Sequence, residues 1–197
     1  MALPMYKWLA RAAIIPVIVI GYVSIAGLTG VCPISTGIMD SVLGRDGAPI
    51  LPVPPGEPKG SITELTAYTI SGDPVSLAKY VGKPLIIDVW ATWCPPCRKQ
   101  RDIIHKLDAE FLKTVTIVSL SNDNDPRLVE SFLKKHPSET IDLMATKELL
   151  DELGKSVGKI ESIPTLLFID AQGRIRDVAA GVQSARELRQ RVQGLLE

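Results

Sequence analysis

Two cysteines three residues apart, Cys94 and Cys97, are the residues of this chain best suited to chemistry. They lie in the segment Trp93-Cys94-Pro95-Pro96-Cys97, between an apolar run over 85–90 and a stretch with helical periodicity. In the opening turn of a helix the two sulfurs can form a disulfide, and the free N–H groups and the helix dipole favour a thiolate on Cys94. Prolines fit there because those N–H groups have no helical partner. The pattern predicts dithiol–disulfide exchange, with Cys94 attacking and Cys97 resolving the mixed disulfide.

Two other interpretations of the cysteine pair stay open at this point. A zinc site needs four ligands, and no second pair exists, because Cys32 lies far upstream and His105 and His136 are isolated. A disulfide with a purely structural role is the other alternative, against which the strand–turn–helix placement argues. No metal and no cofactor is expected.

The composition sets the class of protein. The chain has 197 residues, enough for one domain of ordinary size and an appendage. Its 22 basic and 22 acidic residues balance, and no basic stripe is present, so nucleic-acid binding is not expected. Three cysteines are too few for a framework of disulfides. We expect a monomer.

Residues 1–43 are predicted to form a membrane anchor. The apolar stretch over 12–31 carries no charge and is long enough to cross the hydrocarbon core as one helix. Lys7 and Arg11 precede it, which predicts a cytoplasmic N-terminus and places the rest of the chain outside the cytoplasm. A cleaved signal peptide is the main alternative, but the stretch is long for one and no clear A-x-A site follows. A lipoprotein modified at Cys32 is a third option.

Residues 44–60 are predicted to be a linker. Five prolines and four glycines in this stretch favour a partly extended spacer with no role beyond reach. The globular domain is predicted over residues 61–197.

The pattern within this domain predicts an α/β fold with a mixed central sheet flanked by helices. Apolar and alternating runs predict strands over 62–70, 85–90, 114–121, 141–144, 165–170 and 174–180. Helical spacing predicts a helix from Cys94 that buries Ile103, Leu107 and Phe111, and further helices capped by Asp125, Thr146 and Ser184.

Asp88 is exceptional because it interrupts the predicted central strand. A charged group in a buried strand costs several kcal/mol unless its pKa rises or it finds a partner. The alternative is an aspartate at an exposed end of the strand.

Residues on both sides of the cysteine pair carry a resemblance to a known family. The segments Ala91-Thr92-Trp93-Cys94-Pro95-Pro96-Cys97, Gly82-Lys83-Pro84 and Ile163-Pro164-Thr165 are similar to those of the thioredoxin fold. More narrowly, residues 61–197 resemble the membrane-anchored TlpA/ResA-like thiol-disulfide oxidoreductases. The long interval between Cys97 and Pro164 leaves room for the strand–helix insert of that branch.

The resemblance implies roles for single residues. Pro164 matches the cis-proline that faces the disulfide, and Ile163 would offer backbone hydrogen bonds to a substrate strand. Trp93 matches the aromatic residue beside the active site, a role compatible with a partly buried core residue. Asp88 matches the buried acid that relays protons to the resolving thiol, a position where many relatives have asparagine. The family's helix-kinking proline is replaced by Asp102, which leaves the packing beneath the site open.

The resemblance also implies a function. We expect an enzyme of a bacterial inner membrane that reduces disulfides in exported proteins, such as apocytochrome c or copper-site assembly proteins. A membrane thiol transporter would supply its electrons. The alternatives are a disulfide-forming oxidant or isomerase, a metal-assembly module, for which the C-x-x-C spacing is wrong, and a non-catalytic interaction domain.

Overall fold

The computed structural model describes residues 53–158 and 160–196. Within them the chain forms eight strands, of which the central ones are runs of apolar and β-branched residues. In chain order the strands are β1 (Gly60–Ser61), β2 (Thr66–Tyr68), β3 (Pro74–Ser76), β4 (Leu85–Trp90), β5 (Thr116–Ser121), β6 (Ile141–Met144), β7 (Thr165–Ile169) and β8 (Arg174–Ala180).

The helices of the described residues follow their capping signals. A short 3₁₀ helix covers Leu77–Tyr80, and the α-helices are α1 (Pro95–His105), α2 (Ala109–Thr114), α3 (Pro126–Lys135), α4 (Lys147–Val157) and α5 (Ala185–Leu195). Asp125, Thr146 and Ser184 cap α3, α4 and α5 with their side chains, and Ser184 forms a capping box with Glu187.

The strands form one mixed sheet in the order β1-β8-β7-β4-β5-β6-β2-β3. β4 lies in the middle, parallel to β5 and antiparallel to β7. All six residues of β4 are buried, as expected for a central strand covered on both faces. The predicted α/β architecture with a mixed sheet flanked by helices is confirmed.

Alternate residues of β4 face two different cores. Leu85, Ile87 and Val89 pack with residues of α4 and the 3₁₀ helix on one face. Ile86 packs on the other face with residues of α1, α2 and α5. Trp90 lies on that second face and packs against the two cysteines and Val129 of α3. The second face is therefore covered by α1, and the two cysteines pack against it.

The predicted long helix after Cys94 is wrong in one respect, because it is two helices. α1 ends at His105, and Asp108 starts α2 by accepting a hydrogen bond from the Phe111 N–H at 2.8 Å. The apolar spacing continues across the break, since Leu107 and Phe111 pack in the same core as Ile104. Periodicity alone could not show the break, but Asp108 is a typical N-cap residue. The predicted strand over 62–70 is likewise interrupted, with only 66–68 in β2.

The second half of the predicted linker packs on the domain, which differs from the expected spacer. The Val53 N–H donates to the Gln190 carbonyl at 3.0 Å, and Arg176 Nε donates to the Gly56 carbonyl at 2.7 Å. Gly60 then pairs with Ile175 in β8. A Cβ on Gly194 would clash with the Val53 carbonyl, so this glycine permits the close approach. The composition suggested an extended spacer, but these hydrogen bonds hold the second half of the linker against the domain.

The predicted anchor over 12–31 and the first part of the linker lie outside the described residues. Among the helices of residues 53–158 and 160–196, none has the length and apolar character needed to span a bilayer.

Candidate active site

The two cysteines lie where β4 passes into α1. Cys94 is the N-cap of α1, and Cys97 belongs to its first turn, with Pro95 and Pro96 at the first helical positions. The sulfurs form a disulfide with an S–S distance of 2.13 Å and a Cα–Cα distance of 5.3 Å. Cys94 is 4 % exposed and Cys97 is fully buried, so an incoming molecule reaches the sulfur of Cys94 first.

The start of α1 is electrostatically suited to a thiolate. The Cys97 N–H donates a hydrogen bond to Cys94 Sγ at 3.2 Å. No acidic residue lies in the first turn of α1, while Arg98 and Lys99 follow Cys97 directly. The N–H groups, the helix dipole and these cations all favour negative charge at this sulfur when the disulfide is reduced.

The segment Ile163–Pro164 faces the disulfide from the start of β7. The Ile163–Pro164 peptide bond is cis. Cys94 Sγ lies 3.7 Å from the Ile163 carbonyl oxygen. The Gly181 N–H donates to the Pro164 carbonyl at 2.8 Å, which ties this turn to β8. The structure thus brings together residues that are 69 positions apart in the sequence.

Trp93 lies at the surface next to Cys94. Its side chain is 63 % exposed, far more than a core aromatic residue. The interpretation of Trp93 as a partly buried core residue is therefore wrong. A large exposed aromatic surface beside a reactive sulfur is suited to contact a second molecule.

The turn before Trp93 is held by Asp123, a residue that the sequence analysis missed. The Thr92 N–H and hydroxyl donate to its two carboxylate oxygens at 2.8 and 2.7 Å, and the Ser121 hydroxyl donates at 2.7 Å. Asp123 is only 4 % exposed. The signal available in the sequence was an acidic residue two positions past an apolar strand, at the edge where parallel strands end.

Asp88 is completely buried beneath α1, so the alternative of an exposed strand end is wrong. Among the described residues, neither of its carboxyl oxygens has a hydrogen-bond partner. Desolvation raises the pKa of Asp88 to about 7; the nearby Arg101 cation lowers this pKa and the Asp142 anion raises it. A carboxyl with a pKa near 7 can both accept and release a proton under ordinary conditions.

Two further polar side chains near the site were also missed. Gln100 on α1 is fully buried, and its Oε1 accepts a hydrogen bond from the Gln183 N–H at 2.6 Å. Arg101 follows it and forms an ion pair with Asp142 at 2.8 Å. Their partners lie 83 and 41 residues away, so no local pattern could reveal them.

A metal-binding cluster is not found among the described residues, where no three His, Cys, Asp or Glu side chains converge. A cavity of about 800 Å³ lies at the opposite end of the sheet from the disulfide, bordered by Lys83, Lys113 and Asp170. It contains none of the predicted site residues. The candidate active site is therefore the disulfide and its surroundings.

The raised pKa of Asp88 predicts a pH-dependent stability. The group ionises near 3.8 when unfolded and near 7 when folded, so its contribution is complete below pH 3.8 and is lost as the pH rises through 7. Between pH 5 and pH 8 this loss is about 3 kcal/mol. We expect Asp88→Asn to remove this pH dependence. The free energy of unfolding of the variant, relative to that of wild type, should therefore be higher at pH 8 than at pH 5 by about 3 kcal/mol. Urea unfolding of the oxidised protein measures the difference. A gain that is equal at both pH values would contradict the assignment.

Comparisons with known proteins agree with this geometry. The family model described as Redoxin matches residues 54–194. Thioredoxin-like protein YneN of Bacillus subtilis is 30 % identical over 133 residues, which cover 66 % of this chain and 75 % of that protein. Thiol:disulfide interchange protein DsbE of Pseudomonas fluorescens biotype C is 34 % identical over 116 residues, covering 58 % of this chain and 61 % of the relative.

A solved structure shows the same fold. The thiol:disulfide interchange protein of Chlorobium tepidum TLS, a thioredoxin family protein, superposes with a TM-score of 0.60 and 29 % identity. The match covers 74 % of this chain and 99 % of that one. The chain belongs to the Redoxin family and is a thioredoxin-like thiol-disulfide oxidoreductase.

Proposed function

We propose that this enzyme reduces disulfides in exported proteins on the outer side of a bacterial inner membrane. The observation that supports this best is the disulfide at the start of α1, whose Cys94 sulfur lies between the exposed Trp93 and the Ile163 carbonyl. Backbone groups at the turn before Pro164 can pair with an extended peptide, and the Trp93 ring can cover its side chains. This arrangement suits a protein substrate that presents a disulfide in a strand-like segment.

The exchange proceeds in two displacements. The Cys94 thiolate attacks one sulfur of the substrate disulfide, which forms the Cys94–substrate bond and expels the other substrate sulfur as a thiolate that takes up a proton. The Cys97 thiol then loses its proton, and its thiolate attacks Cys94 Sγ. This step forms the Cys94–Cys97 disulfide and releases the second substrate sulfur, which is protonated. Two electrons pass from the enzyme dithiol to the substrate.

We assign to Asp88 the acceptance of the Cys97 proton, through a water molecule. Cys97 is fully buried, so bulk water does not reach its thiol directly. The Asp88 carboxyl lies beneath α1, and its raised pKa of about 7 is close to the pH at which the exchange has to run. Ile163 and Pro164 bind the substrate backbone, and Trp93 contacts the substrate surface.

The substrates and the electron donor are inferred from the relatives and the N-terminal sequence. The names of the relatives include thiol:disulfide interchange protein DsbE and thiol-disulfide oxidoreductase ResA. The anchor over 12–31 would hold the domain at the membrane surface as a monomer. Apocytochrome c or copper-site assembly proteins are the substrates we propose, with a membrane thiol transporter as the donor.

The two cysteines are expected to differ when they are replaced singly. Cys94→Ser should abolish insulin reduction by the full chain in mild detergent. Cys97→Ser should accumulate a mixed disulfide between Cys94 and substrate, because the resolving thiol is missing. Non-reducing electrophoresis and mass spectrometry detect that adduct. Cys32→Ser is the matched control and should retain wild-type turnover. An adduct on Cys97 in the Cys94→Ser variant, with none on Cys94 in the Cys97→Ser variant, would reverse the assigned roles.

Asp88→Asn is expected to slow the second displacement. Its single-turnover rate at pH 8 should fall by about 100-fold, the usual scale of a lost proton acceptor. The rise in the wild-type rate around pH 7 should disappear from the profile, because the ionising group is gone. Stopped-flow fluorescence between pH 5 and pH 9 follows this step. An unchanged rate and pH profile would refute the relay role.

The reduction potential tests the direction of electron flow. We expect the Cys94–Cys97 pair to lie near the thioredoxin value, about −270 mV, which is typical of a reductant. Equilibration of the full chain with dithiothreitol or glutathione buffers, followed by thiol trapping, gives the value. A result near about −120 mV would show an oxidant and overturn the proposed direction.

A further inference from the structure

The ion pair between Arg101 and Asp142 lies under the active-site helix and has no part in the chemistry described above. Arg101 Nη1 contacts Asp142 Oδ1 at 2.8 Å, with side-chain exposures of 6 % and 10 %. The hydroxyl groups of Ser138 and Thr140 each donate to Asp142 Oδ2 at 3.1 Å. Burying two charges is costly unless they are well paired, so a buried pair beside a reactive centre requires an explanation.

The strand register places this pair beside Asp88. Asp88 of β4 is opposite Ser119 of β5, and Ser119 is opposite Asp142 of β6. These three side chains therefore form one row on the sheet face that α1 covers. Since neighbouring strands are about 4.8 Å apart, Asp88 and Asp142 are separated by about 10 Å.

Arg101 completes the arrangement from above the sheet. Its guanidinium carbon lies 4.1 Å from the centre of the Trp90 ring, and Trp90 follows Asp88 by two residues on the same face of β4. The cation of the pair is thus held over the strand that carries Asp88. Asp88 itself has no hydrogen-bond partner among the described residues, so its charge depends on fields from its neighbours.

The charges around Asp88 come from few directions. Arg101 from α1 and Asp142 from β6 are the charged groups that act on it, with opposite signs. A cavity of about 330 Å³ borders the outer side of Arg101, and Arg98, Asp102, His105 and His136 line it. These four residues face the cavity from α1 and from the end of α3.

We propose that Arg101 and Asp142 are positioning residues that set the charge of Asp88 and thereby the readiness of Cys97 to lose its proton. Arg101 favours the carboxylate form of Asp88, and Asp142 limits that effect by pairing with Arg101. This inference rests on the proposed function of Asp88. It differs from a purely structural ion pair, whose loss would lower stability without moving the titration of Asp88 in a particular direction.

Substitution of the two residues of the pair should shift the titration midpoint of Asp88 in opposite directions. Arg101→Met should raise the titration midpoint of Asp88, and Asp142→Asn should lower it. The shift for Asp142→Asn is about one pH unit for a unit charge some 10 Å away. The shift for Arg101→Met is at least as large, because Arg101 acts on Asp88 more strongly than Asp142 does. Arg101→Met leaves Asp142 with the hydroxyl donors of Ser138 and Thr140. Asp142→Asn keeps an amide oxygen as acceptor for Arg101. The double variant should titrate between the two single variants.

Carbon-13 NMR of aspartate carboxyl groups measures these midpoints. The full chain is labelled and titrated in mild detergent. It is kept oxidised, so that Cys94 and Cys97 carry no thiol that titrates in the same range. The Asp88 signal is assigned by its loss in Asp88→Asn. Either single variant alone decides the proposal, so one that fails to fold does not leave it undecided. A midpoint that stays in place or moves in the wrong direction overturns it.

Matched controls separate this effect from general changes of charge. Lys113→Met and Glu110→Gln break an exposed pair of the same kind at 2.8 Å and should leave Asp88 unchanged. His105→Gln and His136→Gln test the cavity and should also leave it unchanged. A shift in these variants as large as in Arg101→Met overturns the assignment to the Arg101–Asp142 pair.

Failure of the proposed function has a different signature. If the full chain does not reduce insulin, or if Asp88→Asn keeps the wild-type pH profile, the relay is wrong whatever the midpoints are. If Asp88→Asn flattens the profile and the single variants do not move the Asp88 midpoint, the relay stands and the ion-pair proposal falls. In the expected outcome the pH profile of exchange moves with the NMR midpoint in each variant.

Discussion

The hydrogen bonds between Thr92 and Asp123 fix the turn on which the site depends. They join the end of β4 to the end of β5, and both sulfurs lie within five residues of Thr92. Each bond to a buried carboxylate contributes about 1.5–3 kcal/mol, more than a neutral bond would. Because the carboxylate accepts a backbone and a side-chain donor of Thr92 together, it restrains the turn. The rigid central strand thereby determines where Cys94 begins α1 and where Trp93 projects.

Local patterns in the sequence predict the parts of the fold that local forces decide. The unbroken apolar run identifies β4, and the caps at Asp125, Thr146 and Ser184 start α3, α4 and α5 as expected. The break between α1 and α2 was missed because the apolar period continues through Leu107 while the backbone changes at Asp108. The apolar periodicity indicates which face of a segment is buried, but it does not indicate whether the segment is one continuous helix.

The supporting residues of the site could not be predicted, because their partners are distant in sequence. Gln100 meets Gln183 across 83 residues, and Arg101 meets Asp142 across 41. Such bonds form only after the sheet order has placed β6 and the loop before α5 around α1. In the sequence each residue looks like an ordinary polar position of an amphipathic helix. The linker shows the same limit, since its backbone bonds to Gln190 and Arg176 leave no trace in its composition.

Two negative charges in the buried space beneath the disulfide would be costly. A state in which one proton is retained there is favoured. In the oxidised state the sulfurs are neutral, and desolvation alone would keep Asp88 protonated well above its ordinary pKa of 3.8. On the proposed mechanism a thiolate at Cys97 and a carboxylate at Asp88 would repel each other in this low dielectric, so transfer of the proton from the thiol to the carboxylate avoids two buried negative charges. The Arg101 cation offsets part of the desolvation and keeps the carboxylate form accessible near neutral pH. Without such a cation a smaller fraction of the buried acid would be ionised near pH 7, and on the proposed mechanism it would accept the proton of the resolving thiol less often.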